Sequence, residues 1–361
     1  MTIWVELDKR RYPIVIQTDL LPRVQDWVPP GAKIAVITHP ELLHYAHVIS
    51  ENPICIPSGE RYKRPDTVVK IVTELLRRNL ERGDCVVVVG GGVLGDMAGF
   101  AASVFLRGIA VIQIPTTLLA QVDAAIGGKT GVNHPLGKNL MGTFHQPKAV
   151  LIDLSTLATL PKRELRCGLA EIVKYGVIRD PDLFHFLEEN SDKIALLTPL
   201  DHLDIWRHLV VRSCINKAEI VSTDETEHGQ REILNFGHTI GHAIETVFGY
   251  NTYLHGEAVA LGMVAATDIA LNKGAPASIL YRLVHLLKKL GFSLTLQKCS
   301  IKKILAIMAH DKKVKQEKIR FILPLTIGST WVDDTCSNDE ISTTLLHLMN
   351  GRYDEKFNGQ I

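Results

Sequence analysis

The chain has 361 residues, of which 46% are hydrophobic and 22% are charged, and its formal net charge is +1. This length is sufficient for two domains, and the composition is that of an ordinary soluble globular protein. The nearly neutral balance argues against nucleic acid or an anionic membrane as a partner. The N-terminal residues have an early acid, Glu6, and no signal-peptide core, while six cysteines are scattered without a C-x-x-C pair. We therefore expect a cytoplasmic protein with reduced thiols.

The first half of the chain alternates short β-branched runs with amphipathic stretches. The runs that predict strands are residues 33–38, 53–56, 85–89 and 110–114. The stretches between them that predict helices are residues 67–79 and 97–105. Strands that alternate with helices in this way predict a parallel α/β domain.

From about residue 162 the pattern changes to long segments with a period of 3.6 residues. These predict helices over residues 201–221, 234–247, 255–271 and 278–290. The apolar run 258–271 contains Asp268 and is too short to span a bilayer, so we interpret it as a buried helix. Residues 319–325 and 328–332 predict a hairpin. We therefore predict an α/β domain over 1–160, a helical domain over 161–350 and a polar tail over 351–361.

A glycine-rich loop follows the buried valine run at 85–89. Residues 90–95 match G-x-G-x-x-G between a predicted strand and a predicted helix, where backbone amides can approach a pyrophosphate. The loop follows a late strand, and no acid lies about twenty residues later, so an ordinary Rossmann fingerprint does not fit. A purely structural glycine turn is the alternative. The polar loop 58–63, where Glu60 suits ribose hydroxyls, favours a different kind of dinucleotide or phosphate site.

A long polar segment after the run at 110–114 carries groups that orient an anion. Its candidates are Thr116, Thr117, Asp123, Lys129, Lys138 and Asn139. Surface lysines are usually only solvated, so each residue alone carries little weight. Further cations elsewhere are Arg107, Lys217, Arg231, Lys312 and Lys313. Together they exceed what one phosphate needs, and we infer a substrate with two anionic groups.

Two histidines in the second half suggest a metal site. His238 and His242 are four residues apart and share one face of a predicted helix. Gly237 and Gly241 precede them, and because glycine costs a helix roughly 1 kcal/mol, this pair indicates a close approach by another group. Glu171 is the best candidate for a third donor. On the residues alone, two ordinary helix histidines remain the alternative.

Taken in order, these motifs resemble the 3-dehydroquinate synthase family over nearly the whole chain. The matching segments are residues 90–96, 115–117, 126–130, 168–174, 234–242, 255–257 and 311–313. The resemblance implies an α/β N-terminal nucleotide-binding domain and a mainly α-helical C-terminal metal-binding domain. It also implies a cleft between them for NAD and Zn2+, with Co2+ as an alternative metal, and a homodimer.

The resemblance further implies roles for individual residues. It replaces the His238 and His242 pair with Glu171, His238 and His255 as zinc ligands. Its substrate-binding positions are Lys217 and Arg231 for a carboxylate, Lys129, Asn139, Asn235, His242 and either Lys312 or Lys313 for phosphate, and Arg107 across the dimer. Its cofactor positions are Ser58, Gly59, Glu60, Lys63, Gly91, Gly92, Val93, Leu94, Gly95, Asp96, Thr116, Thr117, Asp123, Lys129 and Lys138. We assign proton handling to Lys174 and His242. Residues 37–41 depart from the family, which often has Asp or Asn near the adenosine there.

The implied reaction converts 3-deoxy-D-arabino-heptulosonate 7-phosphate, an anionic sugar acid phosphate, to 3-dehydroquinate. Its steps are transient oxidation by NAD, phosphate elimination, re-reduction and intramolecular aldol closure. One alternative is a cyclase similar to 2-deoxy-scyllo-inosose synthase, whose substrate lacks the carboxylate that Lys217 and Arg231 would bind. A metal-dependent polyol dehydrogenase is a second alternative, which the lysine-rich loop 129–139 disfavours. A catalytically inactive scaffold is a third, and the complete set of candidate metal and proton-handling residues argues against it.

Overall fold

The computed structural model describes residues 1–227, 229–249, 252–315 and 319–355, without the side chains of residues 310–315 and 355. Backbone contacts divide the chain into two compact units. Unit 1 comprises Met1–Pro161 and Val210–Thr226, and unit 2 comprises Lys162–Leu209 and Glu227–Ile361. The division falls within one helix, α7 (Leu203–Thr223), which lies in the region predicted as the helical domain.

Unit 1 is an α/β structure built on one seven-stranded sheet. Its strands are β1 (Thr2–Val5), β2 (Tyr12–Gln17), β3 (Ile34–Thr38), β4 (Ile54–Cys55), β5 (Cys85–Gly90), β6 (Ala110–Pro115), β7 (Lys129–His134), β8 (Gly137–Phe144) and β9 (Ala149–Asp153). Its helices are α1 (Leu43–Ala46), α2 (Pro65–Arg77) and α3 (Gly92–Val104). The sheet order is β1-β2-β9-β6-β5-β3-β4, parallel except for β1, while β7 and β8 form a separate antiparallel hairpin. The predicted parallel α/β domain is confirmed.

Strand β5 is apolar along its whole length because both of its faces are covered. Val86 and Val88 belong to a core cluster with residues of α2 and α3. Cys85, Val87 and Val89 belong to a second cluster on the opposite face. A parallel strand that is buried on both sides reads as a continuous apolar run, which is why the sequence predicts β5 so clearly.

The order of the strands places the glycine-rich loop at a reversal of the chain's direction across the sheet. Strand β3 pairs with β4 on one side and with β5 on the other, so the chain moves outward to β4 and then returns past β3. Open parallel sheets bind ligands at the carboxyl ends of the strands at such a switch point. The loop therefore has the topological position of a nucleotide site although it follows the third parallel strand after β2.

Unit 2 is mainly helical. Its helices besides the first part of α7 are α4 (Lys162–Ile178), α5 (Pro181–Glu189), α6 (Ser191–Ile194), α8 (His238–Phe248), α9 (His255–Asn272), α10 (Ala277–Lys289), α11 (Ile301–Lys315), α12 (Asn338–Met349) and α13 (Arg352–Glu355). The predicted hairpin is present as β10 (Phe321–Thr326) and β11 (Ser329–Asp333), and α9 is buried from Ala258 to Ala270. The region predicted as a polar tail begins instead with α13, where Tyr353 is fully buried, and residues 356–361 lie outside the described residues.

Helix α9 makes close backbone contacts with two other helices. A Cβ atom on Gly262 would lie 1.9 Å from the carbonyl oxygen of Gly237, at the start of α8. A Cβ atom on Gly256 would lie 2.1 Å from the carbonyl oxygen of Cys167 in α4. The close approach predicted at Gly237 and Gly241 is therefore an approach by the backbone of α9.

Composition also predicted the state of the thiols and the absence of a membrane span. All six cysteines are free, and three of them, Cys85, Cys167 and Cys214, are buried. Burial raises the pKa of Cys85 to about 12, so this thiol stays protonated at neutral pH. Within the described residues, none of the helices has the length and apolar character needed to cross a bilayer.

We predict that Gly262→Ala destabilises the protein by about 1–3 kcal/mol, because the added methyl group would force α8 and α9 apart. The matched control is Gly83→Ala, since a Cβ atom there has no neighbour within 4 Å. The shift of the urea midpoint, followed by circular dichroism, measures the effect. Equal midpoints for the two variants would contradict the close contact of α8 with α9.

Candidate active site

Three side chains from three helices of unit 2 meet in a cluster that can hold a metal ion. Glu171 comes from α4, His238 from α8 and His255 from α9, and one ligand atom of each lies within 4.8 Å of the others. His238 Nε2 is 3.6 Å and His255 Nε2 is 3.4 Å from Glu171 Oε1. The Glu171 side chain is completely buried. The structure thus brings together the three residues that the family resemblance implies as ligands.

The geometry and chemistry of this cluster fit a tetrahedral zinc site. Two imidazoles and one carboxylate form a familiar zinc donor set, and bonds of about 2.0–2.2 Å would separate tetrahedral donors by about 3.3–3.6 Å. Burial lowers the pKa of His238 to about 3, so its ring is neutral. Its Nδ1 lies 3.0 Å from the carbonyl oxygen of Phe236 and must carry the proton, which turns the Nε2 lone pair toward Glu171. Two acceptors that face each other in this way call for a cation between them.

His255 lies between two carboxylates. Its Nε2 faces Glu171, and its Nδ1 is 3.3 Å from Oε2 of Glu245, a buried residue of α8. Burial by itself lowers the pKa of His255, but hydrogen bonds to Glu171 and Glu245 raise it to about 9. The pocket therefore attracts positive charge. Sequence reasoning missed Glu245, although it lies seven residues after His238 and so on the same face of α8.

The two residues expected to handle protons differ in their exposure to solvent. Lys174 is buried and forms an ion pair with Glu171, as expected for two residues three apart in a helix. His242 is exposed, and its ring centroid is 5.2 Å from that of His238 and 5.8 Å from that of His255. It groups with Glu245 and His255 rather than with Glu171. The histidine that joins His238 beside Glu171 is thus His255, and not His242 as the spacing of the two histidines in the sequence had suggested.

The other predicted residues of unit 2 precede α8 or lie in α11. Arg231 and Asn235 belong to the 3-10 helix Gln230–Asn235. Arg231 is completely buried, and Nδ2 of Asn235 donates to Oε1 of Glu227 at 3.3 Å. Lys312 and Lys313 lie in α11, and their side chains are outside the described part of the structure.

In unit 1, three of the predicted polar loops are joined by hydrogen bonds. Lys63 is buried and donates to Asp96, just beyond the glycine-rich loop, at 2.5 Å. The backbone amide of Asn133 donates to the Lys63 carbonyl at 2.8 Å. The Asn133 side chain donates to Glu60 at 2.7 Å, and Lys138 Nζ is 3.9 Å from Glu60. Loops 58–63, 90–96 and 129–139 are therefore connected by one network of polar contacts.

The glycine-rich loop has both a structural and a ligand-binding explanation. A Cβ atom on Gly91 would lie 2.9 Å from Thr117 Cγ2, and one on Gly92 would lie 3.0 Å from Ala124 Cβ, so packing alone disfavours larger residues. Helix α3 nevertheless begins at Gly92, and its N-cap residue, Gly91, has no side chain that could cap the first amides. Such a helix N-terminus favours an anion. Val93, Leu94 and Gly95 continue its first turn.

The remaining predicted residues of unit 1 are placed as follows. Lys217 Nζ is 2.7 Å from Asp123 Oδ1, which fixes the position of this buried lysine. Thr116 donates its amide to the Gly90 carbonyl at 3.0 Å, and Ser58 donates to Glu41 at 2.9 Å within the segment that departs from the family. Gly59 has a φ of +107°, and Lys129 begins β7 with an exposed side chain.

Two exposed residues adopt left-handed backbone conformations that are strained for side chains other than glycine. Arg107 has a φ of +70° directly after Leu106 at +48°, and Asn139 has a φ of +54°. The amide of Asn139 donates to the side chain of Asn133 at 3.0 Å, which stabilises its turn. Strain of this kind is concentrated at functional sites and makes both residues candidates for binding.

Two sequence models of one family match this chain in tandem. The description "3-dehydroquinate synthase N-terminal" matches residues 53–167, and "3-dehydroquinate synthase C-terminal" matches residues 168–314. The chain is 43% identical to the 3-dehydroquinate synthase of Rippkaea orientalis, over 96% of this chain and 98% of that protein. It is 50% identical to the 3-dehydroquinate synthase of Prochlorococcus marinus, over 82% of this chain and 79% of that protein.

Solved structures extend the similarity to other cyclases. The 2-epi-5-epi-valiolone synthase of Streptomyces hygroscopicus, solved with NAD+ and Zn2+, has a TM-score of 0.87 at 29% identity. The alignment covers 96% of this chain and 98% of that protein. A 2-deoxy-scyllo-inosose synthase, complexed with carbaglucose-6-phosphate, NAD+ and Co2+, has a TM-score of 0.83 at 26% identity, with coverages of 96% and 99%. The glycerol dehydrogenase of Schizosaccharomyces pombe has a TM-score of 0.66 at 15% identity, with coverages of 96% and 92%, and shares the fold alone. Both halves of the chain match one family, and its relatives align almost end to end, so the chain belongs to the 3-dehydroquinate synthase family.

Proposed function

We propose that this protein is a carbon–oxygen lyase that converts 3-deoxy-D-arabino-heptulosonate 7-phosphate to 3-dehydroquinate and phosphate. The observation that carries the proposal is the alignment, over most of the chain, with relatives named 3-dehydroquinate synthase at 43–50% identity. The cluster of Glu171, His238 and His255 supports it, because a metal bound there would polarise the substrate hydroxyl that is oxidised.

The proposed cofactors are zinc, with cobalt as an alternative, and NAD. Support comes from the two cyclases that were solved with NAD+ and Zn2+ or Co2+. Glu171, His238 and His255 would hold the metal. The first turn of α3, with the linked loops 58–63 and 129–139, would hold NAD. The cofactor would supply reversible hydride transfer, so that the substrate could be oxidised before phosphate leaves and reduced again afterwards.

Two groups of residues are proposed to bind the anions of the substrate. Arg231 and Lys217 would bind the carboxylate, and Asp123 keeps the Lys217 ammonium in one position. The proposed phosphate-binding residues are Lys129, Asn139, Asn235, His242 and one of Lys312 and Lys313. The substrate's own phosphate can act as the base for its elimination, so these residues would hold that group in place rather than exchange protons with it.

Proton handling is proposed for His242 and Lys174. His242 is exposed beside the metal cluster, where its imidazole ring can exchange protons with solvent. Lys174 is buried against Glu171, so its ammonium would stabilise negative charge close to the cluster. The two residues would therefore serve different steps of the reaction.

A homodimer in the cytoplasm is proposed as the working form. Strand β8 exposes its side chains over most of its length, including Leu140, Met141 and Phe144. The β7–β8 hairpin is joined to the end of α3 by the bond between Thr143 and Ser103 (2.8 Å), close in sequence to the strained Arg107. An exposed apolar edge beside a strained arginine supports the proposal that Arg107 serves the site of a second copy.

The proposed reaction requires NAD+ without consuming it. Purified protein with zinc and a sub-stoichiometric amount of NAD+ should release one phosphate per heptulosonate phosphate over many turnovers, because the hydride returns to the substrate. Phosphate release and absorbance of reduced nicotinamide should be followed together. NADH that accumulates one-for-one with substrate, without phosphate release, would instead identify a polyol dehydrogenase.

The proposed role of Arg231 distinguishes the proposed substrate from one that lacks a carboxylate. Arg231→Ala should weaken binding of the heptulosonate phosphate by about 2–5 kcal/mol, because a buried charge-assisted bond is lost. Titration calorimetry should show an unchanged dissociation constant for NAD+, which also reports that the variant is folded. An equal loss of affinity for both molecules would exclude the assignment of Arg231 to the substrate.

A further inference from the structure

We infer that Glu245 is a positioning residue that orients His255 in the metal site and strengthens its binding to the metal. This inference rests on the proposed function, because it takes Glu171, His238 and His255 as the metal ligands. It adds a buried carboxylate that supports one of those ligands from behind.

The ring of His255 is held between two carboxylates. Its two ring nitrogens face two different carboxylates, with Nε2 3.4 Å from Glu171 and Nδ1 3.3 Å from Glu245. A carboxylate accepts hydrogen bonds, so Glu245 favours the tautomer that has its proton on Nδ1. That tautomer leaves the Nε2 lone pair directed at the side of the ring where Glu171 lies. Glu245 therefore selects the form of His255 that a metal requires.

The other histidine of the cluster provides an internal comparison. His238 also has its Nδ1 at an acceptor, but this acceptor is the neutral carbonyl oxygen of Phe236, at 3.0 Å. Glu245 is ionisable, and a charged partner makes an imidazole a stronger electron donor than a neutral carbonyl does. Of the two imidazole ligands, His255 is thus the one whose donor strength depends on a removable side chain.

The fold holds Glu245 in place for this contact. Its side chain is only 4% exposed, and it lies two turns along α8 from His238. Helices α8 and α9 are fixed to each other by the backbone contact at Gly237 and Gly262. The separation of Glu245 from His255 is therefore set by the same contact that sets the separation of His238 from His255.

A second arrangement has to be distinguished, because His242, Glu245 and His255 also lie within 4.8 Å of one another. In that arrangement Glu245 would itself be a ligand, and His255 would use Nδ1. The first arrangement is favoured because Nε2 of His238 and Nε2 of His255 face the same oxygen of the buried Glu171, at 3.6 Å and 3.4 Å, whereas the second arrangement replaces His238 with the exposed His242.

The test measures metal affinity rather than activity. Dissociation constants for Zn2+ and Co2+ are determined by chelator competition for the wild type, Glu245→Gln, Glu245→Asp and His255→Ala. We expect Glu245→Gln to bind one metal ion per chain at saturation but about 10- to 100-fold more weakly, with partial rescue by Glu245→Asp. The visible spectrum of the Co2+ protein should remain that of a four-coordinate site. His255→Ala should lose stoichiometric binding.

The matched control is Glu257→Gln, which removes a carboxylate two residues from His255. Glu257 binds Arg163 at 2.7 Å and accepts the Leu254 amide at 2.9 Å, so this variant perturbs the start of α9 without changing the contact to the ring. Its metal affinity should equal that of the wild type.

Each contrary outcome has a separate meaning. Unchanged affinity in Glu245→Gln, or an equal loss in Glu257→Gln, would overturn the positioning role. Loss of binding as complete as in His255→Ala would also overturn it, because Glu245 would then be a ligand. A wild type that binds no metal would overturn the proposed function together with this inference.

Discussion

The backbone contacts of α9 with α8 and α4 are the constraint on which the candidate metal site depends. Gly262 meets the Gly237 carbonyl, and Gly256 meets the Cys167 carbonyl, at distances that leave no room for a Cβ atom. Each contact lies within one or two turns of a proposed ligand. The three donors can converge within 4.8 Å only because the helices that carry them approach each other this closely. The small residues in these helices are therefore part of the site, although they contact no ligand.

The hydrogen-bond acceptors that converge in this cluster repel one another unless positive charge lies between or beside them. A buried carboxylate that faces two imidazole nitrogens is unfavourable unless positive charge compensates it. Lys174 supplies one such charge, and the raised pKa of His255 shows that the pocket draws in another. In the proposed function a metal ion supplies the compensating positive charge, and the carboxylate of Glu245 increases the negative charge that this ion would balance. Affinity for a cation is thus a property of the arrangement and not of any single residue.

Unit 1 follows a different principle, in which the topology of a sheet creates the site. The reversal of the chain between β4 and β5 brings the ends of β3 and β5 together, and the polar loops at 58–63 and 129–139 are joined there through Lys63, Glu60 and Asn133. The loop at Gly91 and Gly92 also packs tightly on neighbouring residues. Close packing and an uncapped helix terminus are compatible, because both require that no side chain fill the space.

The sequence predicted best those elements whose burial is uniform along the chain. The valine run of β5 and the apolar run of α9 are examples, since each is buried on all sides and its pattern does not depend on its partners. The β7–β8 hairpin was not predicted, because its strands lack the regular alternation of buried and exposed residues and its sequence resembles a loop. Periodicity also predicted α7 but cannot tell which unit a helix contacts. Glu245 was missed because its partner belongs to another helix, and only the three-dimensional contact distinguishes it from an ordinary polar residue.

The most direct test of this account is an anomalous difference map at the zinc absorption edge, from crystals grown with one equivalent of Zn2+. The account predicts one strong peak per chain, bonded at about 2.0–2.2 Å to Glu171, His238 and His255. A peak bonded to His242 and Glu245, or the absence of any peak within this cluster, would contradict it.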